Sequence, residues 1–175
     1  LVRRVIAQDL GLAGVGFSVP HRKSWVISSE RVQRMVDPVD LGLESFDFLP
    51  TVVILLARPD EDELDTFTRE ELLVRYWRML FHAHIDLLLK ERVYGGGISA
   101  PMVRERIDAI GQVEFDEIQA VLERELYLVP DFTRADVYIE FAAVFLELTA
   151  FSPDWLGDWF PSLAESTCNL SRSPV

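Results

Sequence analysis

One cysteine, Cys168, stands in 175 residues, so an internal disulfide is excluded. Such usage points to a reducing compartment, with the cytoplasm as the expected location. No apolar run reaches the ~18 residues needed to cross a bilayer, so no membrane role is expected. No signal peptide is visible, and the chain opens on Leu1 where a complete protein would open on Met, which points to a piece of something longer. Gly-x-Ser-x-Gly, His-Glu-x-x-His and Cys-x-x-Cys are all missing, and with them the commonest nucleophile, zinc and redox signatures. No internal repeat is present. Basic charge is scarce: 17 Lys and Arg face 29 Asp and Glu, for a net charge of −12. That field repels phosphate backbones, so nucleic acid is not an expected partner. Neither a cofactor nor a metal is expected.

What is present reads as one globular domain, with 49% apolar and 26% charged residues. A chain this long buries roughly 70% of its unfolded surface, enough for a core without covalent staples. The charge is uneven. Residues 1–37 carry Arg3, Arg4, Arg22, Lys23, Arg31 and Arg34 against Asp9, Glu30 and Asp37, whereas residues 38–65 are strongly acidic with Arg58 the lone base. Two segments that neutralise each other account for this.

The pattern predicts an all-α fold, an irregular bundle of six or seven helices around two apolar central ones at 69–93 and 134–150. Residues 1–50 form helices and loops that pack on it, 51–163 the helical core, and 164–175 a polar tail. Residues 2–10 make a short amphipathic helix ended by Gly11, and the glycine-rich stretch to Pro20 is a loop. Ser28 or Ser29 caps a helix to about Met35, stopped at Asp37-Pro38. Residues 37–50 are irregular. Residues 51–57 are ambiguous: Val52-Val53-Ile54 favours a strand, Pro50 a helix start, and the only partner for a strand is Trp25-Val26-Ile27. The helix is the expectation. Thr68 and Glu71 form a capping box for the helix of 69–93, which Gly95-Gly96-Gly97 ends. Ser99 and Pro101 open a helix over 100–110, closed by Gly111. Another helix spans 113–127, with Phe115, Ile118, Val121, Leu122 and Leu126 on one face. Pro130 breaks the chain before 134–150, and Ser152-Pro153-Asp154 starts a short turn that carries Trp155, Trp159 and Phe160.

Candidate chemistry lies in two thin polar stripes. From Val137 to Ala150 the only charges are Glu140 and Glu147, seven residues apart and so on one line of the helix. In 69–93, Arg75, Arg78, His82 and Asp86 share a stripe by the same geometry. Buried charges must pair, which predicts contact between Glu140 or Glu147 and the set Arg75, Arg78 and His82. A structural network that fixes helix register is the first reading of this stripe. The functional reading is a pocket with His82 as base or ligand, the glutamates as carboxylates and the arginines as anion clamps. Metal is disfavoured, because no Glu-x-x-His pair occurs and two cations stand in the stripe. His84 faces the other way, as a hydrogen-bonded core histidine, and His21 is exposed.

Weaker signals carry less. Asp60, Asp62 and Glu71 occupy positions one, three and twelve of a calcium loop, but Leu64 at five and Asp65 at six break it, and a solvated acidic linker is the expectation. Gly11, Gly14 and Gly16 lack a phosphate loop's strand and spacing. The glycines at 95–97 read as a hinge. Cys168 has no histidine nearby, and the sequon at Asn169 is a chance match. Trp155, Trp159 and Phe160 either close the core or form a docking surface, since aromatics anchor interfaces. The leading expectation is a protein-interaction or regulatory helical module with a protein partner. The alternative is an enzyme or small-ligand binder that uses the Arg/His/Glu stripe.

Overall fold

The structure is a computed structural model that describes residues 1–11, 24–129 and 131–163. His21, Gly14, Gly16, Cys168, Asn169 and the 164–175 tail lie outside the described residues. The fold is mainly helical, with one two-stranded sheet among the described residues. The chain groups into two compact units, Leu1–Ala83 and His84–Val175, each with its own apolar core.

Unit 1 opens with α1 (Val2–Asp9), β1 (Ser24–Ser28) and α2 (Ser29–Gln33), where Ser28 Oγ accepts the Arg31 amide as the N-cap. A 3-10 turn at Pro38–Leu41 leads to β2 (Val52–Leu56). The strand corrects the helix expected at 51–57. β2 runs antiparallel to β1 with Val26 opposite Ile54, so Trp25-Val26-Ile27, the one partner the sequence offered, is the one used. A run of β-branched residues gains more from this pairing than Pro50 gains from opening a helix. Val5, Ile6, Ile27, Val32 and Leu55 form the core around the hairpin. Asp9, its side chain almost fully buried, accepts the Trp25 indole N–H at 3.1 Å and lies 2.7 Å from the Arg31 guanidinium. One carboxylate thereby ties α1, β1 and α2 together.

The acidic run is a second correction, because it is helical: α3 (Glu61–Thr66). Asp60 Oδ1 accepts the Glu63 amide at 2.9 Å, and Glu63 returns a bond to the Asp60 amide, a complete capping box. Acids in the first turn also suit the positive end of the helix dipole, so the charge density that suggested a linker favours a helix start. α4 (Arg69–Tyr94) follows, with the Thr68–Glu71 box in place. The boundary between the units falls within this helix. Its two ends differ in burial. Leu89 and Val93 pack on the unit 2 core, while Leu73, Val74 and Trp77 are exposed, Trp77 to 64%. The first half of α4 is therefore less central than an all-round apolar pattern implied.

Unit 2 continues with α5 (Ala100–Ile110), α6 (Gln112–Arg124), α7 (Arg134–Phe151), a 3-10 turn at Pro153–Trp155 and α8 (Leu156–Trp159). Gly96, at φ +85°, turns the chain out of α4, where a side chain would be strained. α6 ends before Leu126, which stands at φ +59° and half-exposed instead of continuing the buried face. The Tyr127 amide donates to Leu122 O and the Leu126 amide to Glu123 O, the two bonds of a Schellman cap. α7 packs on α5, α6 and α8. Val137, Tyr138, Ile139, Glu140 and Phe141 are five buried residues in succession, which a helix achieves only when it has neighbours on every side.

Phe115, wholly buried, fills the space between α6 and α7. Phe115→Ala is expected to lower the unfolding free energy by about 3–5 kcal/mol through lost burial and a residual void. Urea unfolding followed by circular dichroism checks it, and a loss under about 1 kcal/mol would mean that the site collapses or is not packed as described.

Candidate binding site

A cavity of about 530 Å³ opens in unit 2, where the last turn of α4, the length of α5 and the first turns of α6 and α7 converge. Val93, Ala100, Val103, Ile107 and Ala135 form apolar wall, and Tyr94, Arg104, Asp108, Gln112, Thr133 and Arg134 supply polar groups. Local sequence explains each placement. Ser99 Oγ accepts the Met102 amide and starts α5, and Val103 and Ile107 are then one turn apart on its inner face. Gly111, at φ +105°, allows α6 to begin immediately after α5 ends. Thr133 caps α7, so the first turn of the buried helix abuts the cavity.

Most of the polar groups are engaged with one another. Asp136 Oδ2 accepts the Thr133 amide at 2.8 Å and its hydroxyl at 2.7 Å, and Thr133 Oγ1 accepts the Asp136 amide in return. The Tyr94 hydroxyl donates to Asp136 Oδ1 at 2.5 Å, which joins the end of α4 to the start of α7. Arg134 donates to Gln112 Oε1 at 3.1 Å and lies over the Phe115 ring at 4.9 Å. Arg104 and Asp108 have no hydrogen-bond or ion-pair partner among the described residues.

The electrostatics follow from these bonds. Burial alone would raise the Asp136 carboxyl, but hydrogen bonds from Tyr94 and Thr133, aided by the Lys90 charge, outweigh it and hold Asp136 below the usual aspartate range. Burial, and then the bond to Asp136, push the Tyr94 phenol up. Both groups are therefore moved away from neutrality.

The residues singled out from the sequence are distributed as follows. Arg75, Arg78 and His82 belong to unit 1, and Glu140 and Glu147 to unit 2. Arg75 stands 3.3 Å from a Glu63 carboxylate oxygen and over the Phe67 ring at 4.3 Å. Glu140 and Glu147 are 4% and 8% exposed, and both are engaged, as are Arg78 and His82. His84 is exposed, not in the core. Phe160 is 2% exposed, edge-on to Phe141 at 5.3 Å, so it is part of the core. Trp159 meets Tyr127 edge-on at 5.9 Å and is partly buried, whereas Trp155 keeps 60% of its surface exposed. None of these residues lines the cavity. Among the described residues no group of three or more His, Cys, Asp or Glu is placed to hold a metal ion, and no helix is long and apolar enough to cross a membrane.

The lowered carboxyl gives a pH signature. A carboxylate whose folded value lies below the ordinary 3.8 stabilises the fold wherever it is ionised, and that contribution fades as pH falls through 3.8 and below. Asp136→Asn removes it. The wild-type chain is expected to lose more unfolding free energy than the variant between neutral pH and about pH 2. Denaturant titrations at both pH values measure the two losses, and equal losses would count against the Asp136 network. Compared with family models, with curated proteins and with solved structures, the chain matches none.

Proposed function

We propose that this chain is a protein-interaction or regulatory module, and that its recognition element is the unit 2 cavity. The observation that carries the reading is the combination of an apolar wall with a few polar groups at the convergence of four helices. Ligand sites have this composition and occur between helices of bundles. The titratable groups support binding over proton transfer. General acid–base work calls for a group poised near neutrality, and here Tyr94 is pushed up and Asp136 down. The bonds that Asp136 accepts from Tyr94 and Thr133 hold the wall in shape. A neutral fluorescent probe such as N-phenylnaphthylamine is expected to bind the full chain. Ala100→Trp places an indole on the wall from an exposed position and is expected to weaken the probe by at least about tenfold, with the fold intact. Unchanged probe affinity in that variant would remove the cavity as the recognition element.

A second reading is favoured by the burial of Glu140 and Glu147 within α7. In it these carboxylates serve an enzyme or a small-ligand binder. Stability separates its two versions. A carboxylate held for structure is expected to cost about 3–5 kcal/mol when its charge is removed in Glu140→Gln. A carboxylate kept for function costs nothing or stabilises when neutralised. Urea unfolding of that variant distinguishes them, and a large loss would turn the stripe into architecture.

A further inference from the structure

The cavity's polar groups are not balanced in what they can still offer a ligand, and we infer that it selects an apolar body that carries a single carboxylate. This rests on the cavity being the recognition element. The wall of Val93, Val103, Ile107, Ala100 and Ala135 accepts hydrocarbon and offers a charged body no hydrogen bonds. Among the polar groups, Tyr94 and Thr133 are committed to Asp136. Gln112 has its oxygen on Arg134 and its nitrogen on Asp116. What remains is mostly donor. Arg104 has no partner among the described residues. Arg134 uses one bond of its guanidinium on Gln112, and a guanidinium carries five N–H donors. The amides of Arg134 and Ala135, in the first turn of α7, have no acceptor within their helix, and the dipole of that long helix favours negative charge there.

Asp108 is the opposing group, a carboxylate one turn along α5 from Arg104 and without a partner among the described residues. Asp136 is a second carboxylate at this end, but its oxygens are taken by Tyr94 and Thr133, so two guanidiniums and two amides without an acceptor in their helix face Asp108 alone and leave the mouth with a preference for an anion. The net charge of −12 opposes anions at long range, so selection has to come from short, directional donors. A free medium-chain acid and the last residue of a polypeptide with an apolar C-terminus share this chemistry.

Isothermal titration of the full chain with decanoate, decanol and decylamine tests the head group. Decanoate is expected to bind at least about tenfold more tightly than decanol, and decylamine most weakly, since bonds to a charged acceptor exceed neutral ones. Arg104→Gln is expected to remove most of decanoate's advantage and leave decanol unchanged. A peptide ending in Leu-Leu with a free carboxylate, compared with its C-terminal amide, separates the two sources. A free-carboxylate peptide that outbinds both its amide and decanoate identifies a polypeptide end, and decanoate alone identifies a free acid. Equal affinity for all three head groups, tighter binding of the amine, or no response to Arg104→Gln overturns the inference and leaves the cavity reading standing. If none of the ligands binds and N-phenylnaphthylamine also fails, the cavity reading falls with it.

Discussion

Unit 2 depends on α7 being buried on every side from Val137 to Phe141. Over those five consecutive buried residues the helix gives no face to solvent, so α5, α6 and α8 must be supplied to cover it, while Phe145 and Leu146 further along are exposed. The demand explains the edge-on stack of Phe141, Phe160, Trp159 and Tyr127, which brings the segment after α7 back onto it. It also explains the Ser162–Glu117 hydrogen bond, which fastens that returning segment to α6. Two carboxylates, Glu140 and Glu147, lie within the same helix at positions where their burial is tolerated only because both are engaged.

A buried helix still has to begin somewhere, and its first amides need partners or water. Thr133 and Asp136 satisfy part of that need, and the Tyr94 hydroxyl adds a bond that anchors the end of α4. The geometry leaves a space beside the helix start, lined by α5 and by the first residues of α6 and α7. The cavity is thus a consequence of packing three helices around a fourth whose N-terminus reaches the surface. Its wall is set by Val103 and Ile107, which are also core residues, so the same side chains that stabilise unit 2 shape the site.

Legibility in the sequence followed periodicity and capping. The helices at 69–94, 100–110, 112–124 and 134–151 could be read because Thr68, Ser99 and Thr133 precede long apolar-periodic runs and Gly95, Gly111 and Ser152 follow them. The pairing was not legible because five-residue strands have no period to measure, and residues 29–51, with α2 and a 3-10 turn among them, separate the two. α3 was missed for a different reason: Asp60 and Glu63 are a capping-box pair, but a block of acids reads first as solvated chain. The cavity had no sequence signature. Its residues come from four helices, and the one hint was local, since Thr133 with Asp136 marks a helix start next to Arg134. Polar stripes drew attention instead, because a charge in an apolar run is visible without a fold, whereas a gap between helices is not.

Affinity and selectivity then separate physically. Hydrocarbon removed from water against the wall supplies binding at roughly 25 cal/mol per Å², less the cost of immobilising the ligand. Arg104 lies exposed at the rim, where solvent competes for its donors, so it adds discrimination more than strength. The amides of α7 differ in this respect: they are fixed by the helix and need no side-chain ordering to meet an anion. As proposed, a site built this way binds moderately and distinguishes head groups by about tenfold. On the proposed reading, those are properties of a module that responds to a ligand's concentration, and they differ from those of one that must hold a substrate through a transition state.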